Sequence, residues 1–112
     1  CAIQAEPFSA AEVRHGPMAI VGPGFPVLAL AGSDAAGDDV REVAGIFTER
    51  GAAVLLAVAG DDAPPLPAIK AHPAIEPILM LASFYRLAEQ LARRRGLDPD
   101  RPPHLSKVTR TR

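Results

Sequence analysis

The sequence predicts an α/β fold, with helices packed on a parallel sheet that is buried on both faces. Three observations lead there. Of the 112 residues, 48% are hydrophobic and only 4% aromatic, an aliphatic excess that suits strands covered on both sides. Two continuous apolar runs, Pro26 to Ala31 and Ala53 to Val58, have strand length and are bounded by turn-forming residues. Each is followed by a stretch of helical periodicity, so strand, helix, strand and helix alternate.

Taken in order, Cys1 to Ala5 is a candidate strand, and Glu6-Pro7-Phe8 is a turn because a residue before proline avoids the helical region. Ser9 N-caps a helix, with Glu12 completing a capping box. Gly16-Pro17 interrupts that helix, and Pro17 starts a new turn that Gly22-Pro23-Gly24 stops. After the first strand, Gly32-Ser33-Asp34 is a loop. Val40, Val43, Ala44 and Phe47 then mark an amphipathic helix, capped at Asp38 and ended by Gly51. Beyond the second strand, Asp61-Asp62-Ala63-Pro64-Pro65 is a turn-rich loop. Leu66 to Ile69 is a candidate third strand that Pro67 confines to a sheet edge or strand end.

A long helix is expected from Ala74 to about Arg95, with Pro77 in its first turn. Ile78, Leu81, Ala82, Tyr85, Ala88 and Leu91 form its strongest stripe. Ile75, Leu79, Met80 and Phe84 make its first half apolar nearly all round, so burial against a second subunit or a further part of the protein is expected. Arg93-Arg94-Arg95 complements the helix dipole, and Gly96 ends the helix. Residues 98–103 form an extended arm and 104–112 a polar tail. Two strands are too few for a complete sheet, and the chain opens on Cys1 rather than Met, so a longer parent protein is expected.

Several classes are excluded. A formal net charge of -1 provides no steering toward nucleic acid. The single cysteine precludes an internal disulfide and fits a reducing cytoplasm. No secretory leader is recognisable. No apolar run approaches the roughly 20 residues a bilayer needs, so no membrane contact is expected. Neither glycine-rich phosphate signature occurs. His15, His72 and His104 have no ligand spacing with Cys1, so neither a cofactor nor a metal is expected.

Two polar stretches remain, Ser9 to Ala19 and His104 to Lys107. Read alone, each residue has an ordinary explanation. Glu12 serves the capping box, His15 is a solvated helix-end histidine, Lys107 belongs to a charged tail, and the arginine triplet is a solvated helix end.

A resemblance changes that balance. Glu12-Val13-Arg14-His15-Gly16-Pro17-Met18-Ala19 resembles the E-x-K/R-H-G-P-x-A element of the sugar isomerase (SIS) domain. Residues 98–109, Asp-Pro-Asp-Arg-Pro-Pro-His-Leu-Ser-Lys-Val-Thr, are similar to the D-x-D-x-P-x-x-L-(A/S)-K-x-(V/T) tail of glucosamine-6-phosphate synthase-like proteins. The two elements lie at opposite ends, with the strand and helix pattern between them. The resemblance implies a three-layer αβα, flavodoxin-like SIS fold, of which residues 1–97 are the latter part of the second of two tandem domains. Residues 98–112 are then a tail carrying an active-site lysine.

The resemblance further implies a hexose 6-phosphate substrate and catalytic roles for His15 and Lys107. The imidazole helps open the sugar ring and is contributed to the neighbouring subunit of a homodimer. The lysine forms a Schiff base with the ketose carbonyl. Both roles suit the side chains. Glu12, Arg14 and Ser106 are supporting candidates, and Arg14 or Arg110 is a candidate cation to lower the lysine pKa. The family's phosphate loop and its proton-transfer Lys and Glu are not among these residues, so the chain alone is expected to be inactive. The style of the two motifs looks closer to stand-alone double-SIS proteins resembling isomerising glucosamine-6-phosphate deaminases, and no glutaminase domain accompanies the chain. The preferred reaction is therefore glucosamine 6-phosphate to fructose 6-phosphate and ammonia. The alternatives are the isomerase domain of a glutamine-dependent synthase, a plain ketose/aldose phosphate isomerase, and a non-enzymatic phosphosugar sensor, against which the lysine tail argues.

Overall fold

The computed structural model describes residues 1–61 and 66–101. In chain order the elements are α1 (Ala10–Arg14), a 3-10 turn (Pro17–Ile20), β1 (Pro26–Ala31), α2 (Ala35–Glu49), β2 (Ala53–Val58) and α3 (Glu76–Arg94). β1 and β2 pair in parallel, from Pro26 opposite Ala53 to Ala31 opposite Val58, with α2 as the crossover that parallel pairing requires. Paired residues of a parallel ladder share a face, and successive residues alternate. Val27 and Val54 therefore face one side, where they pack with Val43 and Phe47 of α2. Leu30 and Ala57 face the other, where they meet Met80, Phe84 and Leu87 of α3. The result is the expected helix–sheet–helix layering, built on two parallel strands.

Local chemistry sets the element ends. α2 begins at Ala35, with Asp34 as its cap and the Asp34 carboxylate accepting from the Gly37 N–H at 3.0 Å. This corrects the expected start at Asp38, which lies in the first turn. Ala35, Ala36 and Gly37 carry no apolar periodicity, but Asp34 has already captured a free amide and two alanines favour helix. At the other end Gly51, at φ +79°, donates to the Thr48 carbonyl at 2.9 Å while Ala52 donates to Phe47 at 3.0 Å. These are the paired bonds of a left-handed glycine stop. α3 ends the same way, with Gly96 bonded to Arg93 and Leu97 to Ala92, both at 2.9 Å.

Two further expectations are corrected. Cys1 to Ala5 is exposed and forms no strand, since no strand among the described residues lies beside it to pair. Leu66 to Ile69 is not a strand either. The chain doubles back so that the Gly60 N–H donates to Ala68 at 2.6 Å and the Ala68 N–H donates to Asp61 at 2.7 Å. That fold-back buries Leu66 and Ala68, while Pro67 offers no N–H to extend a ladder. On α3 the strongest apolar stripe turns outward, away from the sheet. Ile78 and Tyr85 are 67% and 64% exposed, whereas Glu76, Met80 and Ala92 are buried. The bond from the Ser83 hydroxyl to the Pro67 carbonyl, 2.7 Å, and those made by Glu76 orient the helix this way. Among the described residues no helix is long and apolar enough to cross a membrane.

Candidate active site

The motif turn is built from Ser9 onward. The Ser9 N–H and hydroxyl both donate to one carboxylate oxygen of Glu12, at 2.9 and 2.7 Å, while the Glu12 N–H donates to the Ser9 hydroxyl at 3.2 Å. This is the expected capping box. The Ser9 backbone N–H, and then its hydroxyl, hold the Glu12 carboxyl below the usual range. Glu12 thus has its carboxylate engaged in starting α1.

α1 is short because Gly16-Pro17 follows it, and its last turn leaves carbonyls without helical donors. The His15 N–H bends to Glu12, three residues back, at 3.0 Å. The Ala11 carbonyl, four residues back, is therefore free, and His15 Nδ1 lies 2.7 Å from it. A carbonyl oxygen only accepts, so Nδ1 carries the proton and Nε2 of the neutral ring keeps its lone pair. The side chain is exposed. Backbone geometry thereby selects the tautomer and leaves Nε2 as the nitrogen able to take a proton from a ligand.

The turn is fastened to α2 on both sides. Arg14 pairs with Glu42 at 3.1 Å. The Arg50 guanidinium donates to the Met18 carbonyl at 2.8 Å. Ala10, Val13 and Met18 pack against Val21, Val43 and Phe47. Arg14 therefore has a carboxylate partner within the described chain.

The structure brings Glu12, Arg14 and His15 together. Ser106, Lys107 and Arg110 lie outside the described residues, as do His104 and residues 62–65. The described chain reaches Arg101 through an Asp98 turn, in which the Asp100 N–H donates to the Asp98 carboxylate at 3.0 Å and the Arg101 N–H donates to the Asp98 carbonyl at 3.2 Å.

One polar cluster escaped the sequence reading. Glu76 is fully buried at the start of α3. One of its oxygens accepts from the Ser33 N–H at 2.7 Å, and the other from the Ser33 hydroxyl at 2.9 Å and the Ala71 N–H at 3.3 Å. The Ser33 N–H is the strongest influence and lowers its pKa. Burial opposes that, while the Ser33 hydroxyl, the Ala71 N–H and the Lys70 charge reinforce it, and the net shift is downward. The available signal was Glu76 standing as the one acid between Ala71 and Tyr85. This carboxylate ties the loop after β1 to α3. Beside it, at the carboxyl end of β1, an open and mostly apolar cleft of about 300 Å³ is lined by Gly32, Asp34, Gly37, Pro73, Pro77 and others. Ends of parallel strands are where α/β folds bind ligands. Among the described residues no group of three His, Cys, Asp or Glu side chains is placed to hold a metal.

Two parallel strands between helical layers, with an E-x-R-H-G-P-x-A turn fastened to the crossover helix, are consistent with a fragment of a sugar isomerase (SIS) domain. The chain is 35% identical over 94% of its length to the isomerizing glutamine–fructose-6-phosphate aminotransferase of Leifsonia xyli. It is 37% identical over 95% to that of Aeropyrum pernix, and 34% identical over 94% to that of Bacillus licheniformis. The chain spans about a fifth of the length of these relatives, 19%, 18% and 18%. It is homologous to a part of them, consistent with a SIS-domain fragment. No protein-family model matches the chain.

Proposed function

We propose that this chain belongs to an enzyme that isomerises a hexose 6-phosphate between ketose and aldose and installs an amino group at C2, with glutamine as donor. The observation that carries this reading is the 34 to 37% identity, over nearly the whole chain, to proteins named as isomerizing glutamine–fructose-6-phosphate aminotransferases. That relationship favours the glutamine-dependent alternative over the deaminase preferred from the motifs alone.

In the proposed mechanism, His15 Nε2 takes the proton of the C2 hydroxyl of the closed sugar and returns it to the ring oxygen as the bond from C2 to that oxygen breaks, which leaves the ketone at C2. The Lys107 amine adds to the C2 carbonyl of the open ketose. Loss of water from that adduct gives an imine, with the C2–O bond broken and the C2–N bond made. The proposed assembly is a cytoplasmic homodimer in which His15 serves the neighbouring subunit's site.

The reaction is tested with the full-length protein. Fructose 6-phosphate and glutamine should yield glucosamine 6-phosphate and glutamate in equal amounts. Release of ammonia from glucosamine 6-phosphate, with no synthesis from glutamine, would return the assignment to the deaminase. Borohydride in the presence of fructose 6-phosphate should reduce the imine and fix the sugar on Lys107, detected by peptide mass. Lys107→Ala should lose both the adduct and turnover, and an adduct on another residue would remove Lys107 from this role.

His15→Ala should slow reaction from the closed-ring sugar about 100-fold or more, the scale of general acid–base catalysis, and an open-chain analogue far less. Sharing between subunits has its own test. A heterodimer of His15→Ala and Lys107→Ala subunits should recover one working site out of two. Complete inactivity of that heterodimer would place both residues in one subunit's site.

A further inference from the structure

We propose that Arg50 and Glu42, two residues of the α2 crossover region, are positioning residues for His15, bracketing the His15-Gly16-Pro17 turn and fixing the direction in which Nε2 points. This rests on the reading of His15 as the ring-opening imidazole and adds the device that aims it.

His15 stands on weak local structure. α1 has five residues and the following 3-10 turn four, both far below the length at which a helix holds itself together in water. Neither contains a buried residue. Around Gly16 there is open space, with nothing within 4 Å of a side-chain carbon placed there. The internal bond from Nδ1 to Ala11 fixes the ring against α1, but it cannot fix α1 against the rest of the molecule.

The brackets do that. Arg14, the residue before His15, pairs with Glu42 in the middle of α2. Met18, three residues after His15, offers its carbonyl to Arg50 at the end of α2. At 1.5 Å per residue, the two anchor points lie about 12 Å apart along the α2 axis. Two attachments so separated, one on each side of the imidazole, oppose rotation as well as sliding of the turn. The apolar contacts of Val13 and Met18 with Val43 and Phe47 supply adhesion without that directional constraint, because hydrophobic contact is non-directional. Both brackets are solvent-exposed: Arg50 makes a charge-assisted bond to a backbone carbonyl, and Arg14–Glu42 is an ion pair with side chains 36% and 63% accessible. Each is modest alone, and the constraint comes from the two acting at separate points.

The test compares Arg50→Met, which keeps much of the stem and loses the donor, with Arg50→Lys, which keeps a charged donor. Misplacement of a reacting group by about 1 Å costs on the order of 100-fold in rate. A turn still held by Arg14–Glu42 should lose less. Arg50→Met is expected to slow turnover of the closed-ring sugar about tenfold, to leave an open-chain analogue within about twofold, and to leave the melting temperature nearly unchanged. Arg50→Lys should recover most of the loss. Glu42→Arg should act in the same direction, and adding Arg14→Glu should restore the pair with reversed polarity.

Equal losses on closed-ring and open-chain substrates, or no loss on either, would overturn the proposal. His15→Ala is the companion arm. If that variant shows no selective loss on the closed-ring sugar, the catalytic reading of His15 fails. The bracket is then judged on the turn itself, by backbone hydrogen exchange at the Ala19 and Val21 amides, which bond within it, in the full-length protein. Faster exchange there in Arg50→Met, with the amides of α2 unchanged, upholds the positioning role, and unchanged exchange in the turn refutes it.

Discussion

Gly37→Ala is expected to destabilise the protein by about 3 kcal/mol or more, at the upper end of overpacking effects. Helix propensity alone would have it gain about 1 kcal/mol. Gly37 lies in the first turn of α2, and a Cβ built on it would fall 1.9 Å from the Gly32 carbonyl oxygen and 2.6 Å from the carbonyl carbon. Both are backbone atoms, so no rotamer change relieves the overlap. Nor can the Gly32 loop move freely, because Arg41 donates to the Gly32 carbonyl at 2.9 Å and Ser33 is held by Glu76. Gly45, further along the same helix, has nothing within 4 Å of its Cβ position. Gly45→Ala should stabilise by about 0.5–1 kcal/mol. Urea unfolding of the full-length protein should therefore move in opposite directions for one chemical change made twice in one helix. A stabilised Gly37→Ala would mean that α2 does not press on Gly32.

Glu76→Ala is expected to lower the melting temperature by roughly 5–15 °C, on the usual scaling for a small domain. It leaves the Ser33 and Ala71 amides without the acceptor that now serves both. Glu76→Gln should cost less, since its amide oxygen still accepts, while its NH2 group faces donors that the carboxylate satisfied. The pH dependence has a definite sign. The folded-state pKa of Glu76 lies below its unfolded value, so its stabilisation is complete above the unfolded pKa, near 4.3 on the general scale. It is lost as pH falls from there through the folded pKa. The stability gap between wild type and Glu76→Gln should be wide at neutral pH and close in acid. A gap that widens as pH falls would contradict the assignment of Glu76 as a carboxylate held ionised by its donors.

Much of the layout was legible along the chain. Each strand was a continuous apolar run closed by turn residues, which is what burial on both faces demands. The glycine stops at Gly51 and Gly96 follow from a single local requirement, a left-handed residue after the last helical turn. The Ser9–Glu12 box needs only three residues of separation. Each of these depends on neighbours in sequence.

What failed or stayed open has two causes. One is local: the Asp38 start assumed that a helix begins where its apolar period begins, yet the Asp34 carboxylate, three residues before Gly37, had already taken its amide. The rest depended on neighbours in space. The stripe through Ile78, Leu81 and Tyr85 identified an apolar helix surface, but not which way it faces. Glu76 and Met80 turn inward instead. Glu76 itself was passed over because nothing in a linear pattern shows that Ser33, 43 residues away, supplies two of its donors.

The motif turn divides along the same line. By itself the sequence determined that a helix starts at Ser9, that it cannot pass Gly16-Pro17, and that His15 stands at the break. Those are consequences of capping and of a proline without an N–H. The local backbone of α1 decides which ring nitrogen is free, through the bond of Nδ1 to Ala11 four residues back. Only the tertiary structure fastened the turn to α2 through Glu42 and Arg50. Long side chains reach partners far along the chain only after the layers have packed, and no spacing rule read along one element records that reach.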